Sequence, residues 1–189
     1  MIELKEPDLE LIDHFFQKNE SDYFFDYFSK VLNWKQESIF LFGKKQVQPR
    51  LTALYGDASY AYSGITMHPE PWNAELLKVK HKLEIHCGTT FNAVLCNLYR
   101  NGADSMGWHS DDEKELGSNP LIASVSFGAA RKFQMKHKTD TSISIINTEL
   151  TNGSLLVMKG STQHFWKHAV PKQKYVTEPR INLTFRKII

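Results

Sequence analysis

Three side chains in the second half of this 189-residue sequence have the types and spacing to share one metal ion. In Gly107-Trp108-His109-Ser110-Asp111-Asp112, His109 and Asp111 stand two apart, so on an extended stretch both leave the same face of the chain. A later segment, Phe165-Trp166-Lys167-His168-Ala169-Val170, also reads as a strand and offers His168, with His164 just upstream as a competing third ligand. Two imidazoles and one carboxylate on one face of an octahedral ion leave positions open, the donor set of non-haem iron(II) oxygenases. A His-x-Asp pair also arises by chance in a chain with 8 histidines, so the rest of the sequence has to support the reading.

Open metal positions call for a chelating organic co-substrate and dioxygen. One such co-substrate, 2-oxoglutarate, is a dianion whose carboxylates suit paired arginine donors. The segment Arg180-Ile181-Asn182-Leu183-Thr184-Phe185-Arg186 supplies two arginines on a strand-like alternation. Arg180, Asn182, Thr184 and Arg186 share one face, and Ile181, Leu183 and Phe185 share the other. The polar face would line a barrel interior while the apolar face packs a core. Asn97 and Tyr99, again two apart on a strand, add donors ahead of the His-x-Asp segment. The same arginines would also suit a half-exposed edge strand, and the alternation alone does not choose.

The elements that must position these residues are legible in outline. Apolar content of 41% with 12% aromatics is enough for one compact domain over 1–189. No apolar run approaches the length of a membrane span, and the acidic, Pro7-containing start does not read as a signal segment, so an intracellular protein without a membrane partner is expected, cytoplasmic in a bacterium or nuclear in a eukaryote. A monomer is expected. Cys87 and Cys96 lack disulfide or metal spacing and read as reduced thiols. A net charge of +2 is too small to imply nucleic-acid binding by itself.

Along 1–90, Leu9, Ile12, Phe15 and Phe16 at helical spacing after Pro7 predict a first helix, and Ser21 with Asp22 caps a second ending near Leu32. Runs at 38–42 and 47–55 flank a Gly43-Lys44-Lys45 tip and predict a hairpin. A further helix follows Pro71, from about Trp72 to near His86. Along 91–189, strand-like runs at 91–99, 121–127, 132–136, 142–150, 154–158 and 180–188 dominate. Helices gathered ahead of many short antiparallel strands predict an α+β protein around a double-stranded β-helix, or jelly roll.

On Asn97-Leu98-Tyr99, His109-Ser110-Asp111-Asp112-Glu113, Ala123-Ser124-Val125-Ser126-Phe127-Gly128 and Pro179-Arg180-Ile181-Asn182-Leu183-Thr184-Phe185-Arg186-Lys187, the chain resembles the AlkB family of nucleic-acid repair dioxygenases, nearest its second human homologue and bacterial relatives. The resemblance runs from about Leu41 to Ile188. It implies His109, Asp111 and His168 as iron(II) ligands, with His168 preferred over His164. It also implies Asn97, Tyr99, Arg180, Asn182, Thr184 and Arg186 around 2-oxoglutarate, Arg180 holding the distal carboxylate. The implied activity is oxidative removal of alkyl groups from bases such as 1-methyladenine and 3-methylcytosine in DNA, consuming dioxygen and releasing succinate, carbon dioxide and aldehyde.

An alkylated base in a duplex reaches a buried metal by leaving the stack, so a pocket and a gap-filler are needed. The resemblance assigns Tyr60 and Tyr62 to the flipped base, Asp112 or Glu113 to its edge, and Phe42 in Leu41-Phe42-Gly43-Lys44 to the wedge of a nucleotide-recognition hairpin, with Arg50 on the return strand. Lys44, Lys45, Lys136, His137, Lys138, Lys172 and Lys174 form an expected phosphate-contacting rim. The segment Lys138-Thr139-Asp140-Thr141-Ser142 departs from the second human homologue in being shorter and less basic, which bears on contacts to a complementary strand. Two rivals stay open: the same chemistry on methylated RNA or protein, and a catalytically silent jelly-roll module holding zinc or nothing.

Overall fold

A computed structural model describes residues 6–41, 44–57, 60–62 and 65–189. In chain order the elements are β1 Leu9–Ile12, α1 Lys18–Val31, β2 Ser38–Leu41, β3 Lys44–Val47, β4 Leu51–Gly56, β5 Tyr60–Tyr62, β6 Ile65–Met67 and α2 Ala74–Cys87. There follow β7 Ala93–Tyr99, β8 Met106–His109, β9 Ile122–Gly128, β10 Arg131–His137, β11 Ile146–Leu150, β12 Leu155–Met158, α3 Thr162–Phe165, β13 Trp166–Val170 and β14 Arg180–Arg186. The larger sheet runs β1-β12-β9-β14-β7-β4 and the smaller runs β11-β10-β13-β8, with β2-β3 and β5-β6 as separate hairpins.

Two apolar layers explain why the sequence settles into this arrangement. Between the sheets, Leu95 and Tyr99 of β7 and Leu156 and Met158 of β12 meet Phe133 and Met135 of β10 and Trp166 of β13. On the other side of the larger sheet, α1 and α2 bring Phe24, Phe28, Leu76, Val79 and Leu83 against Val94, Val125, Phe127, Leu183 and Phe185. Strand alternation sorts each residue to one layer or the other, as expected for a jelly roll with N-terminal helices. On β14, Ile181, Leu183 and Phe185 go under the helices while the polar residues go between the sheets. Cys96 sits in the helix-side layer, fully buried, and Cys87 packs half-buried against its edge.

Three local expectations are corrected. The segment after Pro7 is not a helix: Leu9–Ile12 is a strand, with Leu9 opposite Met158 and Ile12 opposite Leu155. Its partner lies far along the chain, so local spacing could not reveal it, and His14 at φ 56° closes the segment before a helix could extend. Helix α1 starts at Lys18, not Ser21; the Glu20 carboxylate accepts from the Gln17 backbone N–H at 3.0 Å, while the Ser21 hydroxyl turns back to the carbonyls of Phe16 and Gln17.

The expected long strand at 47–55 is broken around Pro49, which has no N–H to donate. Its first part, β3, closes the hairpin on β2, and β4 instead joins the larger sheet beside β7. Helix α2 begins after Asn73, whose side chain accepts from the Leu76 N–H at 2.9 Å, and ends at Gly88 in the left-handed conformation. Among the described residues, no helix is long and apolar enough to cross a membrane.

The helix-side layer centres on Phe127, fully buried with its ring 5.6 Å from that of Phe16 and 5.5 Å from that of Phe24. Phe127→Ala is expected to cost about 3–5 kcal/mol of folding free energy. Urea unfolding checks this, and a loss below about 1 kcal/mol would remove Phe127 from the centre of the layer.

Candidate active site

Strand pairing builds the metal set. In the smaller sheet His168 of β13 lies directly opposite His109 of β8, and their rings approach to 4.2 Å between centroids. Phe133 stacks on the other side of His168 at 5.5 Å. Strand β8 stops at His109, so Asp111 arrives from a loop and not from the extended stretch expected. That loop is held by side chains: Ser110 Oγ donates to the Trp166 carbonyl at 2.8 Å, and the Asp111 N–H donates to Gln163 Oε1 at 2.9 Å. One donor atom each from His109, Asp111 and His168 lies within 4.8 Å of the others. The competing His164 is exposed on α3, outside this group.

The protonation states suit a cation. Burial works against ionised Asp111, but the Arg186 guanidinium, joined by the imidazoles where they are protonated at low pH, outweighs it and holds the carboxyl at about 2. Burial and the neighbouring His109 push His168 down to about 3, and burial lowers His109 as well, so both rings are neutral. His109 Nδ1–H donates to the Gly107 carbonyl at 2.8 Å, which leaves the Nε2 lone pair on the side of Asp111 Oδ1, 3.9 Å away. Asp111 Oδ2 accepts from Arg186 Nη2 at 2.9 Å, whereas buried Oδ1 has no hydrogen-bond partner among the described residues. A buried carboxylate oxygen in that state is costly unless it meets a cation. Two neutral imidazoles and an ionised carboxylate form a deprotonated set fit for a divalent metal.

Beside this set the larger sheet supplies an anion pocket. Asn97 and Tyr99 of β7 and Arg180, Asn182, Thr184 and Arg186 of β14 all line the same cavity as His109, Asp111 and His168. Arg180 is 1% exposed; Nη2 donates to Ser126 Oγ at 2.8 Å, its guanidinium lies over the Tyr99 ring, and Nε and Nη1 have no partner among the described residues. Burial brings Arg180 down to about 10, which still leaves it cationic at neutral pH. Asn182 is fixed by Ser124 Oγ at 2.8 Å and the Val125 carbonyl, and Thr184 Oγ1 donates to Asn182 Oδ1 at 2.9 Å. Leu95, Phe133, Leu150 and Val170 give the cavity apolar walls. A buried guanidinium with two unused donors fits a carboxylate ligand.

Other expected residues fall differently. Arg186 is committed through Nη2 to Asp111, so it meets the metal set first. Arg50 is not on the hairpin's return strand: it follows Pro49, is 4% exposed, and donates from Nε to Asn97 Oδ1 at 2.7 Å, supporting the pocket wall. Asp112 is exposed and paired with Lys138 at 2.8 Å, and Glu113 is half-buried ahead of a short 3-10 turn. Lys136 lies over the Trp108 ring at 4.6 Å. Tyr60 and Tyr62 lie on β5, with side chains outside what is described, and Phe42 lies outside the described residues. Sequence reasoning missed Ser124, Ser126 and Gln163. The serines had a signal, since they alternate within an apolar strand and face Thr184 and Asn182 in register; Gln163 had none.

A sequence model described as the 2OG-Fe(II) oxygenase superfamily matches residues 8–186. Alpha-ketoglutarate-dependent dioxygenase alkB homolog 3 of Bos taurus is 46% identical over 92% of this chain and 64% of its own length. DNA oxidative demethylase ALKBH2 of Homo sapiens is 41% identical over 94% of this chain and 69% of its own. The solved structure of OsALKBH1 superposes with a TM-score of 0.71 at 14% identity, covering 96% of this chain and 97% of that one, a likeness of fold. The chain thus spans about 64% of the length of the homolog 3 protein it matches.

The buried ion pair yields a stability prediction. Arg186→Met leaves the Asp111 carboxylate buried without its guanidinium, and should destabilise the metal-free protein by about 3–5 kcal/mol. The check is the urea midpoint measured with chelator present; an unshifted midpoint would mean that the pair contributes nothing to the fold.

Proposed function

Because this chain belongs to the AlkB family of the 2OG-Fe(II) oxygenase superfamily, we propose that it is an iron(II)- and 2-oxoglutarate-dependent dioxygenase that removes alkyl groups oxidatively from bases in DNA. The observation that carries this reading is the meeting, in one cavity, of the His109, Asp111 and His168 donors with the buried Arg180. His109 Nε2, Asp111 Oδ1 and His168 hold iron(II). Arg180 takes the distal carboxylate of 2-oxoglutarate through its guanidinium N–H donors, with Asn97, Tyr99, Asn182 and Thr184 along its length. Bound there, iron with 2-oxoglutarate and dioxygen supplies oxidation of the alkyl carbon, with release of succinate and carbon dioxide and loss of the alkyl group as aldehyde.

The chain's own residues orient and shield. Arg186 fixes the Asp111 carboxylate so that one oxygen stays turned toward the imidazoles, and Arg50 fixes Asn97. Phe133, Leu150 and Val170 keep water from the reacting centre. Tyr60 and Tyr62 receive the extruded base, and Phe42 fills its place in the stack. Asp112 and Glu113 approach the base edge, Asp112 from its pair with Lys138. DNA is placed ahead of RNA because the human ALKBH2 relative is named a DNA oxidative demethylase. On this reading the chain works inside the cell, where its DNA substrate is.

The test is turnover of oligonucleotides carrying 1-methyladenine or 3-methylcytosine, with base products read by mass spectrometry. His168→Ala is expected to abolish turnover while leaving a folded protein, and normal turnover with added iron(II) would remove His168 from the metal set. Arg180→Met is expected to raise the 2-oxoglutarate requirement by at least about thirtyfold, through loss of a buried charge partner; an unchanged half-saturation would mean that Arg180 does not hold the co-substrate.

Phe42→Ala addresses the strand preference. Extruding a paired base costs a few kcal/mol that an apolar wedge offsets, and an unpaired strand has less to lose. Repair of methylated duplex should therefore fall much more than repair of the same single strand. Equal losses on both would make Phe42 a packing residue.

A further inference from the structure

Building on the metal-site reading above, we infer that Gln163 and Lys138 are positioning residues that hold Asp111 at the metal from outside the ligand set. The need for them follows from where the sheet ends. His109 and His168 face each other across a strand pair, but β8 stops at His109, so no ladder hydrogen bond fixes the Asp111 backbone. The bond that replaces it comes from a side chain: Gln163 Oε1 accepts the Asp111 N–H at 2.9 Å.

Gln163 is 1% exposed, and a glutamine at that depth is unfavourable unless its amide is used. Its Nε2 points to the thioether of Met158 at 3.4 Å, a weak acceptor, so the strong bond of its side chain is the one to Asp111. Lys138 closes the arrangement. Its ammonium donates at 2.8 Å to Asp112 Oδ2 and at 2.8 Å to the Gln163 main-chain carbonyl. A single cation therefore ties the residue after Asp111 to the residue whose amide holds Asp111.

The two supports on Asp111 act differently. Arg186 at Oδ2 sets the charge and rotation of the carboxylate, whereas Gln163 sets the depth of the backbone that carries it. Without Gln163 the carboxylate stays ionised and paired, but the 110–113 loop can draw it back from the imidazoles. The clamp thus governs metal affinity and ligand geometry. Lys138, expected from the sequence at the phosphate rim, supplies the cation of this clamp.

Mn(II) titration followed by electron paramagnetic resonance, together with the visible absorption of the Co(II)-loaded protein, tests this without turnover. Gln163→Met keeps the volume and removes the acceptor. It should weaken Mn(II) binding by about tenfold or more and alter the Co(II) bands, as loss of an outer partner does at metal sites. Lys138→Met should weaken binding by a smaller factor, with Lys138→Arg restoring it.

A folded Gln163→Met protein that binds Mn(II) as tightly as the wild type overturns the inference. If Gln163→Met does not fold, the Lys138 variants decide: a loss restored by arginine supports the clamp, and equal affinity in all three proteins overturns it. A wild-type chain that binds no Mn(II) overturns the metal-site reading itself, and the inference with it.

Discussion

The two-residue period of the strand Arg180–Arg186 is the constraint on which the rest depends. This strand is buried over its whole length between Ala93–Tyr99 and Ile122–Gly128, with Asn182 opposite Asn97 on one side and Ser126 on the other. One face carries Ile181, Leu183 and Phe185 into the aromatic layer beneath the helices; the other carries two arginines, an asparagine and a threonine between the sheets. A slip of one residue would exchange the faces, burying both guanidiniums among phenylalanines. Hydrophobic burial of the odd-numbered residues therefore aims the even-numbered ones, and the anion pocket is a by-product of core packing.

Electrostatics then joins the two sheets. Arg186 comes from the larger sheet and Asp111 from the edge of the smaller one, and their contact at 2.9 Å crosses the space between them. Each charge would be costly at that depth alone. Together they keep the carboxylate ionised beside two neutral imidazoles despite its burial. The apolar residues around them raise the strength of every such interaction by keeping the local dielectric low.

Much of this was legible in the sequence, for a physical reason. The alternation of Arg180 to Arg186 and the Asn97 and Tyr99 pair are local patterns, and a strand converts local spacing directly into a shared face; His109 and Asp111 were picked out by their residue types, although Asp111 reaches the site from a loop. Failures came where a distant partner decides. Residues 9–12 fit a helical spacing, yet pairing with Leu155–Met158 makes them a strand. Arg50 read as part of a surface hairpin, but a bend at Pro49 and the side-chain Oδ1 of Asn97 draw it inward. Gln163 carried no signal because its role exists only once a strand has ended two residues short of the ligand it was expected to carry. Phe42 rests on resemblance.

The placement of the two thiols bears on how such a chain survives its surroundings. Methylating agents attack thiolates faster than most other protein groups, since the thiolate is the soft nucleophile. Cys96 is wholly enclosed and burial raises its thiol far above the ordinary range; Cys87 is partly covered and raised as well. Both sulfurs stay protonated at neutral pH, and one is out of reach. Under the function proposed above the substrates arise from alkylating reagents, and the fold encloses Cys96 away from such reagents and keeps the partly covered Cys87 protonated.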